Sequence, residues 1–382
     1  MRTRSTLRNF LQEESSSGIL LISGAILGLI LANAPTRDIY NSILSAGFTV
    51  ESSIFYLSLT TTKIINYILM SLFFFVVGME IKREVVSGHL SSLKKSAAPF
   101  LAAVGGMAVP ALIYLAIVGG ENQHGWAIPV ATDIALAVGV LALMGSRVSF
   151  AIKTFLLALA VIDDIGAITI IALFYSDDLA INWLITGLVS ITLIALSYKF
   201  KFRSRALTFI LAILLWYSFY RAGIHPTLAG VLLGFALPQS EELEERLHPW
   251  SSFLVVPLFA LANTGVEISS ESIGAALSSS VALAIFIALV VGKPLGIYIF
   301  TKFFTRMKLV ESPEQNGKLD LVATGSAAGI GFTVSIFIAK LAFDDKGLQD
   351  IAIVAVIFAS VISALLSVLF FKAPFNRSAR DI

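Results

Sequence analysis

Cysteine is absent from this 382-residue chain, and charged residues are scarce: they make up 14% of it, against about 25% in a typical soluble domain. Without cysteine the chain can form no disulfide and offers no thiolate metal ligand or cysteine nucleophile. No basic cluster is interleaved with aromatic residues, so nothing in the sequence predicts nucleic-acid binding. Apolar residues are abundant, at 57% of the chain, and this composition indicates an all-α integral membrane protein in contact with the lipid bilayer.

Apolar runs separated by polar breaks predict twelve transmembrane helices. Their approximate limits are 18–34, 59–79, 96–118, 125–145, 150–175, 182–199, 205–221, 223–238, 249–268, 277–301, 320–343 and 348–371. The eighth run is short for a full crossing. Lysine and arginine collect in alternate loops, and this bias places both chain termini in the cytoplasm. Both termini can lie on one side only if the number of crossings is even, which twelve satisfies.

Three segments leave alternatives open. Residues 1–34 imitate a secretory signal peptide, but the polar residues 12–17 and Pro35 favour a retained first helix. Residues 49–58 are rich in β-branched and aromatic residues and predict a small extramembrane hairpin. The predicted loop 239–248 carries four glutamates, which form either a solvated acidic loop or a cytoplasmic antenna for cations and protons.

Four ionisable residues lie deep inside the predicted helices: Asp133, Asp163, Asp164 and Lys293. A charge at membrane depth costs at least about 2.5–3.5 kcal/mol, so such residues usually mark ion or proton pathways. Asp163 and Asp164 repel each other when both are ionised, and their oxygens are hard ligands suited to Na+, Li+ or protons. The pair therefore predicts a site at which a cation and protons compete. The alternative is that some of these charges form purely structural ion pairs.

Two predicted helices carry signs of interruption. Pro129 lacks the N–H that a continuous helix uses, and Thr132 and Asp133 follow within one turn, where they can satisfy freed backbone groups. The eleventh predicted helix is loosened by three glycines, Gly325, Gly329 and Gly331. Two interrupted helices in the two halves of a chain are typical of inverted-repeat transporters. A simple proline kink and close packing of glycine between unbroken helices are the alternatives.

These features predict a single transporter domain, residues 1–382. We expect two core repeats of opposite topology, at about 96–175 and 277–371, while the remaining helices form an interface and dimerisation panel. Lys293 lies too deep to be assumed a snorkelling residue. It can neutralise Asp163, or offset helix dipoles where the two interrupted helices meet.

Seven stretches of this sequence resemble the NhaA-type Na+/H+ antiporters of bacterial inner membranes. They run in the family's order over nearly the whole chain, at residues 75–84, 131–135, 160–166, 223–230, 247–250, 292–294 and 329–333. The resemblance implies twelve helices with crossed, unwound segments around Thr132, Asp133, Gly329 and Gly331. It also implies that Asp163 and Asp164 carry the cation and the protons, and that Lys293 is a salt-bridge partner or a second proton carrier.

The resemblance has further implications for regulation and assembly. It places pH-sensing groups near the cytoplasmic mouth, matching Glu80, Arg83, Glu84 and Glu244, with His225 and His248 as further candidates. It implies a homodimer formed partly through the hairpin after the first helix.

The expected function is a pH-regulated, electrogenic secondary antiporter. It would export Na+ or Li+ in exchange for protons by alternating access, without a cofactor and without enzymatic chemistry. If two protons exchange for one Na+, net charge crosses the membrane and the potential can drive transport. A Na+-coupled solute symporter of the same inverted-repeat architecture is the alternative.

Overall fold

The computed structural model describes residues 2–52, 55–176, 179–202, 204–311 and 318–373. Most of these residues lie in helices, here numbered in chain order: α1 (Arg2–Asn33), α2 (Arg37–Ser45), α3 (Thr61–Val86), α4 (Leu93–Val118), α5 (Gly120–Val130), α6 (Ile134–Met144), α7 (Phe150–Phe174), α8 (Ile181–Lys199), α9 (Arg205–Ala222), α10 (Thr227–Ala236), α11 (241–263), α12 (Ser270–Ser278), α13 (Ser280–Arg306), α14 (Lys318–Ala328), α15 (Phe332–Ala342) and α16 (Lys346–Lys372).

Several helices depart from regular α geometry. The α5 segment is a 3-10 helix that bends at Asn122. Single π-helical stretches widen α3 at Ile64–Leu69, α11 at Ser251–Val255 and α13 at Ala288–Gly292. Such π-turns leave backbone groups without their usual partners and are common at functional positions.

The predicted hairpin is confirmed, while its location outside the membrane stays a prediction. Strands β1 (Gly47–Glu51) and β2 (Tyr56–Thr60) pair antiparallel, from Gly47 opposite Thr60 to Glu51 opposite Tyr56. The ladder is therefore longer than the predicted 49–58. The polypeptide reverses without a two-residue Asn-Gly or Asp-Gly turn, which is why the sequence signal was weak.

The helical membrane architecture is confirmed, while the count of twelve helices stays a prediction. Within the described residues, seven helices are long and apolar enough to cross a membrane, and nine result if the bent pairs α5–α6 and α14–α15 each count as one. The three other predicted crossings fall on α9, α10 and α11. The ten residues of α10 are too few for a full crossing.

The chain divides into two compact units. The first comprises Met1–Leu20, His89–Ala167 and Val266–Ile382, and the second comprises Leu21–Gly88 and Ile168–Gly265. In the first unit, one hydrophobic core joins α4, α6, the first half of α7, α13 and α14, and its fully buried members include Leu156, Leu159, Ile297, Leu321 and Ala327. This core fixes the positions of the helices that carry Asp163, Lys293 and the second interruption. The inverted relation between the two predicted repeats stays a prediction.

Candidate ion-binding site

Both predicted interruptions are present in the first unit. The axes of α5 and α6 differ by 46° across residues 131–133, and those of α14 and α15 differ by 48° across residues 329–331. The two breaks touch, because the Asp133 N–H donates to the Ile330 carbonyl at 2.6 Å. Two interrupted helices therefore meet at their non-helical residues. A simple proline kink, the alternative interpretation, would not require such a contact.

Asp133 lies at the amino ends of two helices. Its Oδ1 accepts from the Leu136 N–H at 3.1 Å, which caps α6. Its Oδ2 accepts from the Thr333 N–H at 3.1 Å and from the Thr333 hydroxyl at 2.6 Å, in the first turn of α15. A negative charge is favourable at the positive end of a helix dipole, and here one carboxylate serves two such ends.

The carboxyl ends of the half-helices have donors. Lys293 Nζ donates to the carbonyl of Val130, the last residue of α5. Thr132 Oγ1 lies 2.9 Å from the carbonyl of Ala328, the last residue of α14. The charges therefore match the helix dipoles at both breaks, with an acid at the amino ends and a base at one carboxyl end.

Asp163 is the buried acceptor that joins these groups. It is 0% exposed, its Oδ2 lies 2.8 Å from Lys293 Nζ, and the Thr132 hydroxyl lies 2.7 Å from the same oxygen. Lys293 is also 0% exposed. Lys293 therefore does both things that were predicted as alternatives: it pairs with Asp163, and it contacts the end of an interrupted helix. Among the described residues, Asp163 Oδ1 has no hydrogen-bond partner.

Three further predicted site residues lie beside this group. Asp164 follows Asp163 on α7 and is 7% exposed. Gly331 allows close contact between the two breaks, because a Cβ there would lie 3.3 Å from the Ala131 carbonyl oxygen and would collide with Ser335 Oγ. Gly329 likewise approaches a neighbouring helix too closely for a side chain. Neither glycine has a positive φ, so close approach explains them better than backbone conformation.

Two residues that hold the interrupted helices in place, Thr333 and Ser335, are not among the predicted site residues. Thr333 binds Asp133, and the Ser335 hydroxyl donates to the Ile128 carbonyl at 2.6 Å. Thr333 is the second residue of α15, after the glycine-rich break and Phe332. Nothing in the sequence shows that its partner would be an aspartate 200 residues earlier.

Four of the six predicted pH-response residues form a cluster in the second unit. Arg83 pairs with Glu244, and His248 Nε2 lies 3.7 Å from Glu80 Oε1. Burial raises the pKa of the Glu244 carboxyl, and the nearby Arg83 and His248 partly oppose that rise. The cluster thus combines a buried acid with basic groups that favour its ionised form.

The other two candidates are placed differently. Glu84 lies one turn beyond Glu80 on α3. His225 is buried against other groups: its Nδ1 lies 2.7 Å from Thr227 Oγ1, and its ring packs edge-on against Tyr67. Tyr67 lies more than three turns of α3 from Glu80, at about 3.6 residues per turn, so His225 is not part of the cluster.

The predicted loop 239–248 is wrong as a loop. Ser240 caps α11, and its hydroxyl accepts from the Leu243 N–H at 3.2 Å. The glutamates therefore occupy the first turns of a helix, where acidic residues are favourable. Glu244 points inward and is 7% exposed, while the three others are solvated.

Comparison with known proteins shows the family of this chain. The family model described as Na+/H+ antiporter 1 matches residues 8–371. The chain is 43% identical to the Na(+)/H(+) antiporter NhaA of Shewanella sp. (strain ANA-3) over 373 residues, which cover 94% of this chain and 95% of that relative. Its identity to the proteins of the same name from Shewanella loihica and Shewanella frigidimarina is 42% and 41%, over 94% of this chain and 95% and 94% of those relatives. The chain therefore belongs to the Na+/H+ antiporter 1 family and is a multi-pass membrane transporter, not an enzyme.

Proposed function

We propose that this protein is a secondary Na+/H+ antiporter that exports Na+ in exchange for protons. The observation that carries the proposal is the fully buried Asp163 carboxylate, held by Lys293 and Thr132 where two interrupted helices meet. A buried charge in a membrane protein is expensive, and this one is attached to the breaks that an alternating-access motion would bend.

The chemistry of the pair supports competition between cation and protons. With a protonated Lys293, the charges of Lys293 and Asp163 balance each other. A Na+ or Li+ that binds the carboxylate replaces the lysine ammonium as its counter-charge, so the lysine is then free to lose its proton. Carboxylate and hydroxyl oxygens are hard ligands for these small cations. Asp164 supplies the second carboxylate.

This exchange would be electrogenic. If two protons enter for each Na+ that leaves, one net positive charge moves inward per cycle. A membrane potential contributes about 2.3 kcal/mol per charge per 100 mV, which is enough to drive Na+ export. The direction agrees with the proposed location in the bacterial inner membrane, with both termini cytoplasmic.

The cluster formed by Glu80, Arg83, Glu244 and His248 supports regulation by pH. Because burial raises the pKa of Glu244, its ionisation is disfavoured in this conformation. A rise in pH through that raised pKa ionises Glu244 and strengthens its attraction to Arg83, so the packing of α11 against α3 responds to pH. We assign pH control of transport to this cluster and not to His225.

The hairpin supports assembly as a homodimer through β1. The outer edge of β2 is already occupied: the Tyr217 hydroxyl accepts from the Tyr56 N–H, and the Tyr220 hydroxyl accepts from the Ser58 N–H, each at 3.1 Å. All five residues of β1 are exposed. An exposed strand edge is a template for pairing with another chain, and β1 of a second copy is the natural partner.

The decisive experiment measures collapse of a pH gradient in proteoliposomes on addition of Na+, Li+ or K+. We expect Na+ and Li+ to collapse it, and expect Asp163→Asn and Asp164→Asn to abolish the response. Asp38→Asn, which changes an exposed aspartate on α2, is the matched control and should behave as wild type. Undiminished exchange in both site variants would refute the site, and Na+-dependent solute uptake without exchange would support a symporter.

A further inference from the structure

A face of α16 carries serines that contact the second interrupted helix. Ser360 Oγ accepts from the Phe332 N–H at 3.3 Å, at the start of α15, and the Ser367 hydroxyl donates to the Ala323 carbonyl of α14 at 2.9 Å. Ser363 lies between them in sequence and is 1% exposed, yet its hydroxyl has no hydrogen-bond partner among the described residues. A buried hydroxyl without a partner is destabilising, so its presence beside the break calls for a ligand.

The Leu289 carbonyl is a second buried oxygen without its usual helical donors, and a π-turn followed by a proline explains why. In the π-turn of α13, the Lys293 N–H bonds to the Ala288 carbonyl. The next residue, Pro294, has no N–H to offer. The Leu289 carbonyl therefore lacks the donors that a helix supplies four and five residues later, and Leu289 itself is fully buried.

These two oxygens face one position beside Gly329. A Cβ on Gly329 would lie 2.6 Å from the Leu289 carbonyl oxygen and 2.9 Å from Ser363 Oγ. Because residue 329 is glycine, no side chain lies between these two oxygens.

The same position adjoins the Asp163 site. Gly329 follows Ala328, whose carbonyl lies 2.9 Å from Thr132 Oγ1, and that hydroxyl lies 2.7 Å from Asp163. Leu289 lies one helical turn before Lys293 on α13. Both oxygens are thus attached to elements that hold Asp163.

We propose that the Ser363 hydroxyl and the Leu289 carbonyl form a second oxygen site for a small monovalent cation, which Na+ occupies on its way to or from Asp163. The inference rests on the antiport function proposed above. Neutral hydroxyl and carbonyl oxygens are hard ligands that a partly dehydrated Na+ accepts. Because neither carries a formal charge, the site attracts the cation without retaining it as a carboxylate would, which suits a site of transit.

The test measures the Na+ dependence of exchange in proteoliposomes for wild type, Ser363→Ala and Ser363→Cys. The cysteine variant keeps the side-chain volume and replaces the hydroxyl with a soft sulfur that is a poor Na+ ligand. We expect both variants to raise the KM for Na+ by about fivefold to tenfold, the loss of one interaction the size of a hydrogen bond, with kcat little changed. Ser363→Thr keeps the hydroxyl and should retain the wild-type KM.

Ser367→Ala is the matched control, since it removes a buried serine hydroxyl from the same helix whose bond to a backbone carbonyl is already made. It should leave the KM for Na+ unchanged even if it lowers thermal stability. An unchanged KM in both Ser363→Ala and Ser363→Cys, or an equal rise in Ser367→Ala, overturns the proposal. Wild-type protein without Na+-dependent exchange would instead refute the antiport function itself.

Discussion

Removal of the Lys293 ammonium is the most direct test of how the site is held together. Lys293→Ala leaves the Asp163 carboxylate buried without its counter-charge and removes the donor to the Val130 carbonyl. Removing one partner of a buried ion pair costs about 3–5 kcal/mol, mainly because the other charge stays buried. The lost carbonyl bond is part of the same local change, so we expect a total of about that size and not a larger sum. The free energy of unfolding of a folded domain is usually about 5–15 kcal/mol, so this loss is severe.

A second substitution separates two contributions to this loss: the missing attraction between Lys293 and Asp163, and the cost of burying the Asp163 charge without a partner. Asp163→Asn removes the carboxylate charge at nearly constant volume, so it should recover much of what Lys293→Ala loses. Unfolding of wild type, the two single variants and the double variant in detergent gives a double-mutant cycle. We expect a coupling energy of at least about 2 kcal/mol, in the upper range for residues in direct contact.

The control is Lys199→Ala, which removes an exposed lysine at the end of α8 and should change stability by less than about 0.5 kcal/mol. If the losses from Lys293→Ala and Asp163→Asn simply add, the two charges are not energetically coupled. The role of Lys293 as the counter-charge of Asp163 would then be refuted, whatever its effect on transport.

Three further predictions address packing, pH and assembly. Gly325→Ala should lower the melting temperature, because its Cβ would lie 2.7 Å from the backbone of α13. Gly139→Ala is the control: a Cβ at Gly139 would meet nothing within 4 Å, so the melting temperature should stay unchanged or rise. Equal effects of the two substitutions would contradict the packing of Gly325 against α13. Since burial raises the pKa of Glu244, this acid stabilises the fold below its unfolded pKa and loses that contribution as pH rises through the folded value. Over that rise in pH, Glu244→Gln should lose less thermal stability than wild type. A parallel loss in the two proteins would show that Glu244 does not titrate in this way. Thr49→Pro removes a β1 N–H that points away from β2 and that could pair with a second copy. Light scattering should show that the purified variant shifts from dimer to monomer, while exchange in proteoliposomes continues. An unchanged dimer would exclude pairing through β1.

The chemistry of the site was largely predictable from the sequence, because a charge inside an apolar run is costly enough to be informative by itself. Pro129 and the glycines around Ile330 predicted the two breaks for a similar reason, since each residue type disturbs a helix locally. The contacts between the breaks were not predictable. Thr333 and Asp133 lie 200 residues apart, and their pairing follows from the packing of whole helices.

The error at residues 239–248 has a different physical cause. A run of glutamates predicts a loop when it is judged by its charged composition alone. Ser240 followed by acidic residues is also the signal of a helix start, where the same charges are stabilised by the dipole. The segment is polar, as its composition indicates, but its capping residue and acidic first turn make it a helix.

The placement of charge at the two breaks connects ion binding to movement. Asp133 holds the amino ends of α6 and α15 together, and Lys293 holds the carboxyl end of α5 through Val130. Lys293 also neutralises Asp163, so a cation that takes its place on that carboxylate changes the charge facing the end of a helix. An uncompensated helix end is destabilised inside a low-dielectric environment. Under the proposed antiport function, occupancy of Asp163 would therefore alter the relative stability of arrangements of the half-helices. In that proposed mechanism, binding and reorientation would be two consequences of one electrostatic change, and neither would require a separate signal to travel through the protein.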